Sequence, residues 1–135
     1  MIWKIYLSGE IHTNWREKLK LNCNKLNLPI EFSEPVTNHP LSDNCGPNIL
    51  GPETDKFWED HKSAKINSIR TRTKIKKADL VIIMFGDKYK QWNAAFDAGF
   101  ASALSKPLII IHQNENQHAL KEIDSGALAV TKNIN

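Results

Sequence analysis

Cysteine is scarce in this sequence: Cys23 and Cys45 are the only two among 135 residues, and they form neither a CxxC pair nor a zinc-binding set. A reducing compartment argues against a disulfide between them. Long apolar runs are missing as well, since none approaches the roughly 20 residues that span a bilayer. The N-terminal segment lacks the apolar stretch and cleavage site of a signal peptide. We therefore expect a cytoplasmic protein without membrane contact.

Patterns typical of cofactor and nucleic-acid binding are also missing. The sequence has neither a GxGxxG nor a Walker-type loop, so we expect no dinucleotide, no Walker-type triphosphate site and no cofactor. His39, Asp43 and Cys45 lack a second half of a ligand set, so no metal is expected. The net charge is only +3, and the basic residues of 62–77 have no interleaved aromatic side chains. We do not expect nucleic acid as a partner.

The residues that are present indicate one globular α/β domain over residues 1–135. Hydrophobic residues make up 41% and charged residues 24% of the chain, which is ordinary for a globular protein. Strand-like segments occur at 2–9, 28–35, 78–85, 106–112 and 127–131, and helical patterns occur at 13–28, 57–77, from about 92 onward, and at 118–123. Asn14 and Glu17 resemble a capping box. This alternation predicts a doubly wound, flavodoxin-like parallel sheet of about five strands with helices on both faces.

In such a sheet, ligands bind beyond the carboxyl ends of the strands, where the strand order reverses. The segment after the first strand and the segment "GDKYKQWN" after the third lie at this edge. The second segment supplies four candidate substrate-binding residues: Gly86, Asp87, Trp92 and Asn93. Trp92 is suited to stacking on a base, and Asn93 to hydrogen bonding with it.

Asp97 lies within "WNAAFDAGFA", a helical stretch of small and aromatic residues. A buried carboxylate is costly unless it is paired or functional. Two interpretations stay open. Asp97 is placed near a helix N-terminus by its favourable interaction with the helix dipole, or it is presented to the cleft as a reactive group.

The segment "SGEIHTNWR" (8–16) is a second candidate cluster. Gly9 allows close backbone approach, and the following helix N-terminus, with Arg16 in its first turn, suits an anion such as phosphate. Glu10 and His12 are candidates for acid, base or sugar contacts. The alternative is that these are ordinary turn residues.

Residues 36–53 are rich in Pro, Gly, Asn and Asp and contain no clear helical or strand pattern. A loop of this length in a compact domain is either functional or disordered. As a functional loop, it would cover the active site as a lid.

Three segments together resemble a known family. "YLSGEIHTNWR", "ADLVIIMFGDKYKQWN" and "AFDAGFASALSKPLIII" are similar to the YtoQ family of small bacterial proteins, which resembles the nucleoside 2-deoxyribosyltransferase-like superfamily. The resemblance covers nearly the whole chain. It implies a five-stranded parallel α/β fold, a homodimer, and a nucleoside or nucleotide as the small-molecule partner.

The resemblance also implies roles for individual residues. Tyr6, Leu7, Ser8 and Gly9 match a Y-L-A-G-P turn that contacts the sugar or phosphate, with Glu10 in place of the proline. Asp97, Gly99 and Ala101 match an E-x-G-x-A motif whose glutamate attacks the anomeric carbon. Asp97 would then be the nucleophile or stabilise the developing cation, and Glu10 would be the acid or base.

Two functions follow from this comparison. The first is an N-glycosidase or deoxyribosyltransferase that acts on a nucleoside or nucleotide through Asp97. The second is a non-catalytic nucleotide-binding or sensing module, because the shorter aspartate replaces a glutamate and bulky Trp92 stands where glycines approach the phosphate.

Overall fold

Strands and helices alternate along the chain, as the sequence predicts. The computed structural model describes residues 1–88, 90–113 and 118–134, so Tyr89 of the "GDKYKQWN" segment lies outside the described residues. The strands are β1 (Trp3–Gly9), β2 (Ile30–Ser33), β3 (Leu80–Phe85), β4 (Leu108–His112) and β5 (Ala129–Thr131). The helices are α1 (Trp15–Lys25), α2 (His39–Asp43), α3 (Cys45–Leu50), α4 (Lys56–Lys77), α5 (Trp92–Ala103) and α6 (Lys121–Ser125), with a 3₁₀ turn at His118–Leu120.

The five strands form one sheet in the order β2-β1-β3-β4-β5, and every neighbouring pair is parallel. This order is the flavodoxin-like one, in which the chain leaves β1 in one direction and returns to add β3 on its other side. The predicted fold class is therefore confirmed. In this fold class ligands bind where the strand order reverses, which here is at the carboxyl ends of β1 and β3.

Helices pack on both faces of the sheet. Side chains alternate along β1, so this strand contributes to the core on each face. Ile5 and Leu7 point to the face where Trp15 of α1 packs. Tyr6 points to the opposite face and packs with Ala94 and Ala98 of α5. The small alanines allow α5 to lie close to the strands.

The chain divides into two compact units, and the sheet unit consists of Met1–Ser33 with the residues from Ile75 onward. The second unit is Glu34–Lys74, which contains α2, α3 and most of α4. A single domain over 1–135 stays a prediction from the sequence.

The prediction of an irregular loop over 36–53 is wrong, because this segment contains the two short helices α2 and α3. The Asn38 side chain caps α2 by accepting a hydrogen bond from the Leu41 N–H at 3.0 Å. Buried Ser63 of α4 accepts a hydrogen bond from the Gly46 N–H at 2.9 Å, and its own hydroxyl donates to the Asp43 carbonyl. Helices too short for a periodic pattern are thus held by side-chain hydrogen bonds.

The predicted capping box at the start of α1 does not form. Asn14 is at the N-cap position, but its side chain makes no capping hydrogen bond. Its φ and ψ of −93° and 28° lie outside the extended region that a side-chain cap requires. Among the described residues, no helix has both the length and the apolar character needed to cross a membrane.

Candidate active site

Asp97 and Ser8 meet at the carboxyl end of β1. Ser8 lies on the same face of the strand as Tyr6, two residues earlier, and is only 2% exposed. Because Ala94, Ala98 and Ala101 bring α5 close to this face, half-buried Asp97 reaches the strand. The Ser8 hydroxyl donates a hydrogen bond to Asp97 Oδ2 at 2.5 Å.

Two opposing effects act on the charge of Asp97. Burial raises the pKa of its carboxyl above the ordinary value, because removal from water disfavours the ionised form. The hydrogen bond from Ser8 lowers the pKa again by stabilising the carboxylate. A half-buried carboxylate with a raised pKa, at the end of the sheet where this fold class binds ligands, is a candidate for chemistry rather than a helix-dipole partner alone.

The backbone after Ser8 turns sharply at Gly9. Gly9 has a φ of +97°, and a Cβ at this position would lie 2.1 Å from the Met84 carbonyl oxygen. Only glycine fits here without strain or displacement. The next residue continues the contact with β3, since the Glu10 N–H donates to the same carbonyl at 3.0 Å.

The Glu10 side chain folds back into its own loop and is 2% exposed. Its carboxylate accepts hydrogen bonds from the backbone N–H groups of His12 and Thr13 and from the Thr13 hydroxyl. Burial alone would raise the pKa of Glu10, but these hydrogen bonds together hold it below its ordinary value. Glu10 is therefore ionised at neutral pH, which disfavours the acid half of its predicted acid or base role. The base half stays a prediction.

Arg16 and Trp15 hold this loop through hydrogen bonds to its backbone. The buried guanidinium of Arg16 donates to the carbonyl oxygens of Glu10 and Gly9 at 2.7 and 3.2 Å. Trp15 Nε1 also donates to the Glu10 carbonyl, at 2.7 Å. Arg16 is 3% exposed and fixes the loop backbone, and its contact with a phosphate stays a prediction.

Gly86 of the segment after β3 lies directly against the Glu10 side chain. A Cβ on this buried glycine would lie 2.2 Å from Glu10 Cγ. Its N–H donates to Gln91 Oε1 at 3.1 Å, and Gln91 has a φ of +50° directly before α5. Sequence reasoning did not identify Gln91 or Thr13, because a single glutamine or threonine in a loop carries no recognisable pattern.

The remaining predicted residues are divided between the surface and the core. His12, Asp87, Trp92 and Asn93 are exposed, with Trp92 78% exposed. Tyr6 is fully buried in the core. The structure thus brings Ser8, Gly9, Glu10, Gly86 and Asp97 together at one edge of the sheet.

A further polar pair lies at the end of β4. His112 is buried, its Nε2 lies 2.7 Å from Asp124 Oδ1 of α6, and its ring stacks on Phe85 of β3. The segment "KPLIIIH" predicts the strand but contains no signal for the pairing with Asp124. No group of three or more His, Cys, Asp or Glu residues within the described ranges is arranged to hold a metal ion.

The fold is shared with solved structures. A 2-deoxyribosyltransferase from Bacillus psychrosaccharolyticus matches 98% of this chain and 88% of its own, with a TM-score of 0.60 and 20% identity. A conserved protein from Enterococcus faecalis V583 matches 95% of this chain and 77% of its own, with a TM-score of 0.59 and 15% identity. The chain thus has the nucleoside 2-deoxyribosyltransferase fold.

The sequence comparison is more specific. The family described as "Nucleoside 2-deoxyribosyltransferase YtoQ" matches residues 6–135, and the chain belongs to this family. The uncharacterized protein YtoQ of Bacillus subtilis (strain 168) is 47% identical over 131 residues, which cover 97% of this chain and 88% of that protein. The resemblance predicted from the sequence is confirmed.

Proposed function

We propose that the protein cleaves the N-glycosidic bond of a nucleoside and passes the sugar to water or to a second base, with the Asp97 carboxylate acting at the anomeric carbon. The observation that carries this proposal is the contact between Asp97 and Ser8 at the point where the strand order reverses. Family membership and the name of the solved 2-deoxyribosyltransferase support the same chemistry.

In this mechanism an Asp97 oxygen forms a bond to the anomeric carbon while the bond from that carbon to the base nitrogen breaks. The base leaves with the electron pair of that bond and takes up a proton from water. Water then opens the glycosyl ester in a hydrolase, or the nitrogen of a second base opens it in a transferase. In both cases Asp97 returns as a free carboxylate.

The other site residues serve this step by position. Ser8 orients Asp97 and favours its ionised form, and the Gly9 turn brings backbone close to the sugar. We assign base contacts to exposed Trp92 and Asn93, in the first turn of α5. Glu10 and Arg16 act in this proposal by holding the loop, with Asp87 and His12 at its rim.

We also propose that two copies associate through α5 and that the protein acts in the cytoplasm. Phe96 is 60% exposed on this helix. Beside it lies an open apolar groove lined by Ala95, Gly99 and Ser102 together with residues of α6. A projecting aromatic next to a groove on the same helix suits a two-fold interface, in which each copy supplies both elements.

A panel of nucleosides, incubated with and without an acceptor base, tests the activity. Chromatography is expected to detect free base or an exchanged nucleoside. The Asp97→Asn variant, which keeps the shape of the side chain, is expected to lose activity by roughly 10³-fold or more.

The matched control is Asp79→Asn, because Asp79 lies just before β3, at the amino ends of the strands and therefore far from Asp97. This variant is expected to keep its activity. Wild-type protein that is stabilised by nucleosides but releases no base would contradict catalysis and favour the non-catalytic binding module.

A further inference from the structure

The loop after β1 uses its hydrogen-bond donors internally. Three donors converge on the Glu10 carboxylate: the His12 and Thr13 backbone N–H groups and the Thr13 hydroxyl. Convergent N–H groups ahead of a helix are the usual means by which proteins hold a phosphate. Here a carboxylate of the same chain fills that arrangement, and it is 2% exposed.

The filled loop lies close to the candidate nucleophile. Glu10 follows Ser8 by two residues, so their Cα atoms are at most about 7 Å apart, and the Ser8 hydroxyl contacts Asp97. A sugar whose anomeric carbon faces Asp97 therefore has its other substituents within reach of this loop. A phosphate there would find its donors occupied and would face a negative charge.

The surrounding residues are built to keep Glu10 in place. Gly86 leaves room for the side chain, because a Cβ at this position would lie 2.2 Å from Glu10 Cγ. Arg16, in the first turn of α1, donates to the carbonyl oxygens of Gly9 and Glu10. Two nitrogens of its buried guanidinium, Nη1 and Nη2, thus hold the loop backbone.

We propose that Glu10 is a specificity-determining residue whose carboxylate takes the place of a substrate phosphate, so that the site accepts nucleosides and rejects nucleoside 5′-phosphates. This assignment rests on the proposed function for its substrate class. The occupied donor set is a property of the loop itself, and inorganic phosphate can test it separately.

The experiment measures the Tm of wild type, Glu10→Ala and Glu17→Ala with increasing inorganic phosphate, balanced by chloride to constant ionic strength. Glu17→Ala is the matched control, because it removes one exposed carboxylate from the same first turn of α1. The Tm of Glu10→Ala is expected to rise by roughly 3 °C or more, since its loop donors become free to bind phosphate. Wild type and Glu17→Ala are expected to change by less than about 1 °C.

A second measurement compares the affinities of 2′-deoxyadenosine and its 5′-monophosphate. Wild type is expected to bind the nucleoside at least about tenfold more tightly, and Glu10→Gln, which removes the charge but keeps the side-chain shape, is expected to reduce that preference roughly tenfold. Glu10→Gln also replaces Glu10→Ala in the phosphate titration if the alanine variant does not fold.

Two results would overturn the assignment: wild type that binds phosphate or the monophosphate as tightly as the variants do, or a folded Glu10 variant that does not respond to phosphate. If wild type binds neither deoxyadenosine nor its phosphate, that failure concerns the proposed function. The response of the Glu10 variant to inorganic phosphate then still decides the role of the loop.

Discussion

The Asp97 carboxylate combines two requirements that usually conflict. A nucleophile is more reactive when water is excluded, but exclusion of water favours its protonated form. The hydrogen bond from Ser8 opposes this effect of burial, because a hydroxyl that donates to a carboxylate stabilises the charged state. Ser8 is therefore expected to control the pH range in which Asp97 can react.

Replacing Ser8 with alanine tests this control. Removing the donor raises the pKa of Asp97 further, and the reaction needs the ionised form, so the acid limb of the kcat/KM profile is expected to move to higher pH. At neutral pH the loss of about 1 kcal/mol from one hydrogen bond should lower kcat/KM roughly fivefold. Ser125→Ala, which changes an exposed serine at the end of α6, is the control. An acid limb that stays in place in Ser8→Ala would contradict the role.

At the residue scale, positions were easier to predict from the sequence than contacts. The parallel-sheet rule and the family motifs bring Ser8, Gly9 and Asp97 to one edge, and the structure places them there. The inward fold of Glu10 could not be predicted, since it depends on the space that Gly86 leaves from another strand. The burial of Arg16 could not be predicted either, because its partners are backbone carbonyls that no sequence pattern marks.

Elements with strong patterns were predictable, whereas elements held by tertiary contacts were not. The apolar runs that became β3 and β4 are buried strands, and α5 begins at Trp92 as expected. Helices α2 and α3 have only 5 and 6 residues, too few for a periodic apolar face. Their stability comes from the Asn38 cap and from Ser63, which lies far along the chain.

Two glycines have opposite expected effects on stability when they are replaced by alanine. Gly9→Ala is expected to lower the free energy of unfolding by roughly 2–4 kcal/mol, because its φ is positive and a Cβ would collide with the Met84 carbonyl. Gly99→Ala in the middle of α5 is expected to raise it by roughly 0.5–1 kcal/mol, since a Cβ there meets nothing within 4 Å. Denaturant unfolding of both variants checks the pair. A Gly9→Ala protein as stable as wild type would show that the turn can adopt another conformation.

At the scale of the whole molecule, the proposed dimer makes a prediction about mass in solution. Sedimentation at micromolar concentration is expected to give the mass of two chains. Phe96→Lys should raise the dimer Kd roughly 30-fold or more, because it places a charge in an apolar contact. Phe57→Lys, which changes a similarly exposed phenylalanine outside α5, is the control. Wild type that sediments as a single chain would exclude the shared interface.

The strand order also has a consequence for the birth of the protein on the ribosome. β1 is an inner strand of the sheet, yet Ile5 pairs with Leu80, 75 residues later in the chain. At 5–20 residues per second, a nascent chain waits about 4 to 15 s between synthesis of these two partners. During that interval one side of β1 has no native strand to pair with. The emerging β1 segment must therefore be kept from pairing with other strands until β3 is synthesised.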